Sequence, residues 1–151
     1  MENRREQSIH FSLNEFHARV QHVQARMEQA GMLTLLVTDP ANMHYLSGYD
    51  GWSFYAHQGL IVRADSPMPH WFGRQQDRRG AQITTWLDHD HLHCYPEAHV
   101  QSLDNHTMGF VAALIRELGW AHDPIGLEME SYWFSARSMV ELQRHLPEAR
   151  H

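Results

Sequence analysis

Apolar residues recur every three or four positions at Leu13, Phe16, Val20, Val23, Met27 and Ala30, which places them on one face of an amphipathic helix. Ser12-Leu13-Asn14-Glu15 fits a capping box, in which a hydroxyl and a carboxylate satisfy amides of the first turn. Gly31 ends this helix, and its fewer than three heptads argue against a coiled coil. Residues 33–37 then form an apolar strand. Residues 60–62 and 69–72 have the short apolar runs of buried strands, with 64–68 as the turn between them. Residues 77–86 carry a helical pattern weakened by Gly80, and 92–95 form a short strand. A second apolar stripe, Met108, Val111, Ala112, Ile115 and Leu118, predicts a helix capped by Asp104 or Asn105 and stopped by Gly119. Residues 125–129 are a strand, and 135–146 a helix that Pro147 stops. Helices alternating with strands around one hairpin predict an α/β fold, a mixed β-sheet flanked by helices.

No Pro/Gly/Ser-rich linker divides the chain, so residues 1–151 are expected to form a single domain. The last helix is followed by no further element, where an α/β sheet would normally receive another strand. A fragment of a longer protein is the expectation. The opening Met1-Glu2-Asn3-Arg4-Arg5 is polar and lacks the apolar core of a signal peptide, and no apolar run approaches the length of a membrane span. Cys94 is the only cysteine, so an internal disulfide is excluded and a reducing cytoplasm is expected. The net charge is −6 and the twelve arginines are scattered, which disfavours nucleic acid and anionic membrane as partners. There is no lysine, so Schiff-base and phosphate-loop chemistry are excluded at once.

One segment is more specific than these patterns. In Thr38-Asp39-Pro40-Ala41-Asn42-Met43-His44-Tyr45-Leu46-Ser47-Gly48-Tyr49-Asp50, Asp39 can accept the free amides of a short helix and Pro40 presets its first turn. Gly48 can take the left-handed conformation that stops it. An aromatic-rich stretch follows: Tyr49, Trp52, Phe54, Tyr55. The wording Asp-Pro-Ala-Asn followed by Tyr-Leu-Ser-Gly-Tyr resembles the amino-terminal domain of the creatinase and proline-dipeptidase family. The likeness extends through Trp71-Phe72-Gly73-Arg74-Gln75-Gln76-Asp77, Tyr95-Pro96-Glu97, Gly126-Leu127-Glu128-Met129-Glu130 and Phe134-Ser135-Ala136. These stretches are similar to the ectoine-hydrolysing branch of that family. Trp71-Phe72 and Arg78-Arg79 depart from that branch's wording, which leaves a related Xaa-Pro peptidase or creatinase-like substrate open.

The resemblance implies that chemistry lies in a carboxyl-terminal catalytic domain, absent from this chain, where five side chains hold a pair of divalent metals. It implies no catalytic residue, no cofactor and no metal ligand here. The implied roles are to dimerise, to cap the active site of the domain's own catalytic partner, and to reach a small-molecule substrate in the second subunit. In creatinase-like dimers a loop contributes a phenylalanine and, two residues later, an arginine. Phe54 falls at the first position and Ala56 at the second, so Phe54, Tyr55 and His57 are the candidate substrate-binding residues. Packing of Trp52, Phe54 and Tyr55 into the core is the competing reading. A free-standing small-molecule-binding or dimerisation module is the competing function.

Two other groupings bear on chemistry. His89, His91 and His93 alternate along a segment that ends in a strand, so their side chains would share a face. Same-face neighbours on a strand lie in a row roughly 6.5–7 Å apart, whereas a tetrahedral metal needs ligands folded around a point. A solvated loop and strand edge is therefore the reading for these histidines, and a buried or half-buried thiol beside Tyr95 the reading for Cys94. Glu128 and Glu130 sit two apart at a strand end. There a carboxylate capping the helix near Ser131 is preferred over acid-base work.

Overall fold

A computed structural model describes residues 9–151. Helix α1 (Leu13–Gln29) begins where the Ser12 hydroxyl accepts the Glu15 amide at 3.2 Å. The Glu15 carboxylate turns to Arg19, 2.9 Å away and one turn on, rather than back to Ser12. Phe16, Val20 and Met27 are buried and Val23 half-buried, but Leu13 and Ala30 are exposed, against the expectation for this face. The reason is length. Seventeen helical residues run about 25 Å, while a five-residue strand beneath them runs about 16 Å, so the ends overhang the sheet. Gly31 takes a φ of 69°, and the Met32 amide returns to the Met27 carbonyl at 2.9 Å to close the helix.

The remaining elements are β1 (Thr34–Val37), α2 (Pro40–Ser47), β2 (Gly59–Arg63), β3 (His70–Arg74), α3 (Arg78–Thr84), β4 (Leu92–Tyr95), α4 (Thr107–Glu117), β5 (Ile125–Leu127) and α5 (Ala136–His145). The sheet is mixed, in the order β4-β3-β2-β1-β5. The hairpin β2–β3 is antiparallel with Leu60 opposite Trp71, as is β1–β2, whereas β1–β5 and β3–β4 are parallel. The cap of α4 is neither Asp104 nor Asn105. The Asn105 amide donates to the Ser102 hydroxyl at 2.9 Å, which places that segment in a separate turn. His106 caps instead, its Nδ1 accepting the Met108 amide at 3.1 Å.

Every residue of β2 and β3 is buried, because both faces of the sheet are covered. Alternation along the strands sorts the side chains. Val37, Leu60, Val62 and Trp71 join Phe16, Val20, Met43 and Leu46 under α1 and α2. Leu36, Ile61 and Phe72 join Met108, Val111, Ile115 and Leu142 under α4 and α5. Among the described residues, no helix is long and apolar enough to cross a membrane.

Candidate functional site

The Asp39-to-Gly48 reading holds in detail. The Asp39 carboxylate accepts the Ala41 amide at 2.8 Å and the Asn42 amide at 3.4 Å, and Gly48 sits at φ 80°. Glu128 completes this junction from the far side of the chain. Its Oε2 accepts the Thr38 and Asp39 amides at 2.6 and 2.7 Å, and its Oε1 accepts Asn42 Nδ2 at 2.6 Å. Glu128 thus seats the start of α2, not a helix near Ser131, and its lone pairs are committed to structure. Ser131 is linked to the same junction, its hydroxyl 3.5 Å from that of Thr38.

The loop of residues 49–58 leaves α2 and returns to β2, and a polar network ties its two ends together. Gln58 Nε2 donates to the Tyr49 hydroxyl at 3.0 Å and to Asp77 at 2.9 Å. Arg74 grips the Asp77 carboxylate with two donors at 2.8 and 3.0 Å, and gives a third, at 2.6 Å, to the Tyr55 hydroxyl. Those bonds to Asp77 push the Arg74 guanidinium further up, and burial pushes the Tyr49 phenol up. Gly51 is required here, since a Cβ would meet the Tyr49 hydroxyl oxygen at 2.5 Å. Inside the loop the Ser53 hydroxyl accepts the Ala56 amide at 3.1 Å. Trp133 Nε1 donates to the Ser53 carbonyl at 3.0 Å, and the Tyr95 hydroxyl donates to the His57 carbonyl at 2.6 Å.

This anchored loop carries an exposed aromatic cluster. Phe54 is 78% exposed and Trp52 63%, with ring centres 6.1 Å apart; Phe54 stands edge-on to Tyr55 at 5.3 Å. Packing into the core therefore does not account for Phe54. Tyr55 is exposed too, but its hydroxyl is engaged by Arg74, so its ring rather than its oxygen is available. Burial pushes the His57 pKa down, with the neighbouring Trp133 backbone opposing. Sequence reasoning did not anticipate the contribution of the 129–134 segment. Trp133 fastens the loop, and Tyr132 beside it is 97% exposed. No local signal marks these residues, because their partner lies 80 positions earlier.

The histidine row does not stay a row. A 3₁₀ turn at His89–His91 precedes β4, turning His89 towards Gln82 while His91 and His93 meet His70 of β3. His70 Nδ1 lies 2.9 Å from His93 Nε2, its ring 4.4 Å from that of His91, and Asp88 holds His91 Nδ1 at 2.5 Å. Among the described residues, no group of three or more His, Cys, Asp or Glu is arranged to hold a metal ion. Burial raises the half-buried Cys94 thiol, which keeps it protonated at neutral pH and a poor nucleophile.

A family model for the Creatinase/Prolidase N-terminal domain matches residues 19–150. Ectoine hydrolase of Halomonas elongata is 40% identical over 144 residues, 95% of this chain and 36% of that protein. An uncharacterised hydrolase/peptidase of Sinorhizobium fredii is 40% identical over 139 residues, again 36% of its length. The chain therefore spans about a third of those curated relatives. The creatinase/prolidase amino-terminal domain of an X-Pro dipeptidase from Streptococcus pyogenes superposes with a TM-score of 0.69 at 15% identity, covering 89% of this chain and 92% of that one. That likeness shows a common fold.

Proposed function

The chain belongs to the creatinase/prolidase amino-terminal domain family, and from that premise we propose that it is the non-catalytic amino-terminal domain of a metal-dependent amide hydrolase acting on ectoine. The likeness to an ectoine hydrolase over nearly the whole chain supports the substrate. In this reading the domain caps the active site, forms the homodimer and presents its loop to the second subunit. A divalent metal pair in the catalytic domain would polarise the amide carbonyl and supply hydroxide at neutral pH. The reducing cytoplasm fits the single, unpaired Cys94.

The observation that carries the reading is Phe54. Leaving a large aromatic ring in water forfeits about 1.5–3 kcal/mol of burial, and here the loop that bears it is fastened rather than loose. A fixed, exposed ring suits a surface completed by a substrate and a second subunit. Its face attracts a delocalised cation such as the amidinium of ectoine. Tyr55, braced by Arg74, backs that face, and His57 stands next to Ala56, where the family's arginine is missing.

Phe54→Ala in the full-length enzyme is expected to lower kcat/KM for ectoine roughly 30-fold, the equivalent of about 2 kcal/mol for a desolvated ring–cation contact. The melting temperature should stay unchanged, since so exposed a ring contributes little to the fold. Unchanged kcat/KM would remove Phe54 from the substrate site.

A further inference from the structure

A second feature lies behind the aromatic loop. A cavity of about 150 Å³ is bounded by Tyr55 and His57 on the loop, by His99 and Gln101 on the segment after β4, and by His106 and Arg137 at the starts of α4 and α5. At about 30 Å³ per water it has room for about five waters, or for a carboxylate with two or three carbons. None of its lining residues is an aspartate or glutamate, in a chain that carries eighteen of them. Three imidazoles and a guanidinium converge there without a counter-charge in the wall.

The donors are oriented. His106 accepts the Met108 amide at Nδ1, so a neutral ring must carry its proton on Nε2 as a donor. The His57 ring lies 5.0 Å from it. His99 Nδ1 is buried without a hydrogen-bond partner, a vacancy that native interiors seldom tolerate. Arg137 donates to the Leu103 carbonyl at 2.6 Å, and its Nε lies 3.7 Å from Glu141, which also faces His145 at 3.6 Å. Glu141 is outside the lining and shared among Arg137, Arg144 and His145, so it neutralises the cavity only in part. The amino ends of α4 and α5, eleven and ten residues long, add partial positive charge on the same side.

We propose that this cavity is a binding site for a small carboxylate-bearing molecule, with Arg137 as the charged anchor and His106, His57 and His99 as hydrogen-bonding walls. The site is separate from the outward face of Phe54 and does not depend on that residue's role in the second subunit. Burial first, then the proximity of His57 and Arg137, with Glu141 opposing, push the His106 pKa down to about 4. An anion would act in the opposite direction, so binding should raise the pKa of His106.

The test uses this chain with labelled histidines, following ring resonances by NMR while acetate is added at constant ionic strength. Saturable shifts at His57, His99 and His106, with a Kd of about a millimolar, are expected, while His70 and His93 stay still. Chloride should not reproduce them, and inorganic phosphate should compete no better than acetate. Arg137→Ala should abolish saturation. If that variant fails to fold, Gln101→Glu provides the second arm: an internal carboxylate should raise the His106 pKa and block acetate. Shifts that are linear, that spread equally over all histidines, that follow phosphate alone, or that persist in Gln101→Glu would overturn the proposal.

Discussion

Lowering the pH from 6.5 towards 4 is expected to strip most of the stability from this fold. His70, buried at the edge of the β3–β4 pair, is pushed down to about 4 by burial first and then by His91 and His93, with Asp88 opposing. His106 reaches about 4 through burial, His57 and Arg137, with Glu141 opposing. Burial also lowers His93 and His57. The folded state keeps these rings neutral, whereas an unfolded chain protonates them near pH 6.5. Below that value the unfolded state binds more protons, so stability falls with pH and levels off only once the folded rings protonate near 4. A shift of this size is worth up to about 3 kcal/mol for each of His70 and His106. Ordinary domains have only about 5–15 kcal/mol in total. Urea melts at pH 7.5, 6, 5 and 4.5 should show the midpoint falling at each step, and His70→Phe should flatten the decline. A midpoint constant from 7.5 to 4.5 would contradict the burial of these histidines.

Phe16→Ala is expected to cost about 3–5 kcal/mol, the range for deleting a fully enclosed aromatic ring. The ring stacks on Trp86 with centres 6.3 Å apart and takes the edge of Phe11 at 6.0 Å. It also presses on α2: a Cβ added at Gly48 would lie 3.1 Å from it. Few atoms nearby can collapse into the space, because Gly48 has no side chain and the Trp86 indole is fixed by its Nε1–H donating to the Leu46 carbonyl at 2.9 Å. A loss below roughly 1 kcal/mol in denaturant melts would show that the α1 face has been misassigned.

Both predictions show what one sequence can and cannot display. Phe16, Val20 and Met27 were legible because helical periodicity is local, and so was the Asp39–Gly48 turn, whose caps lie within a few residues of what they cap. The limits of the α1 face were not, since periodicity cannot say where the sheet beneath it ends. Glu128 was assigned to the wrong helix because its partners are 86–90 positions away. The cap of α4 was misjudged by one or two residues because Asp104 and Asn105 are better intrinsic caps than the His106 that does the task. At the candidate site, an aromatic loop can be core or surface, and only its long-range anchors, Trp133 and Tyr95, decide that Phe54 points outward. The cavity at His57, His99 and His106 was hidden for the same reason, since three separate segments bring its walls together.

The central claim, that this domain serves a neighbouring subunit's active site through Phe54, makes a specific demand on mixed dimers of the full-length enzyme. One subunit carries inactivated metal ligands in its catalytic domain, the other carries Phe54→Ala, and each is inactive or weak as its own homodimer. If the loop acts across the dimer, the mixed species holds one site with intact metal ligands from one chain and intact Phe54 from the other. Activity should then return towards half the normal level. Well-folded mixed dimers that stay at the level of their parents would contradict the account.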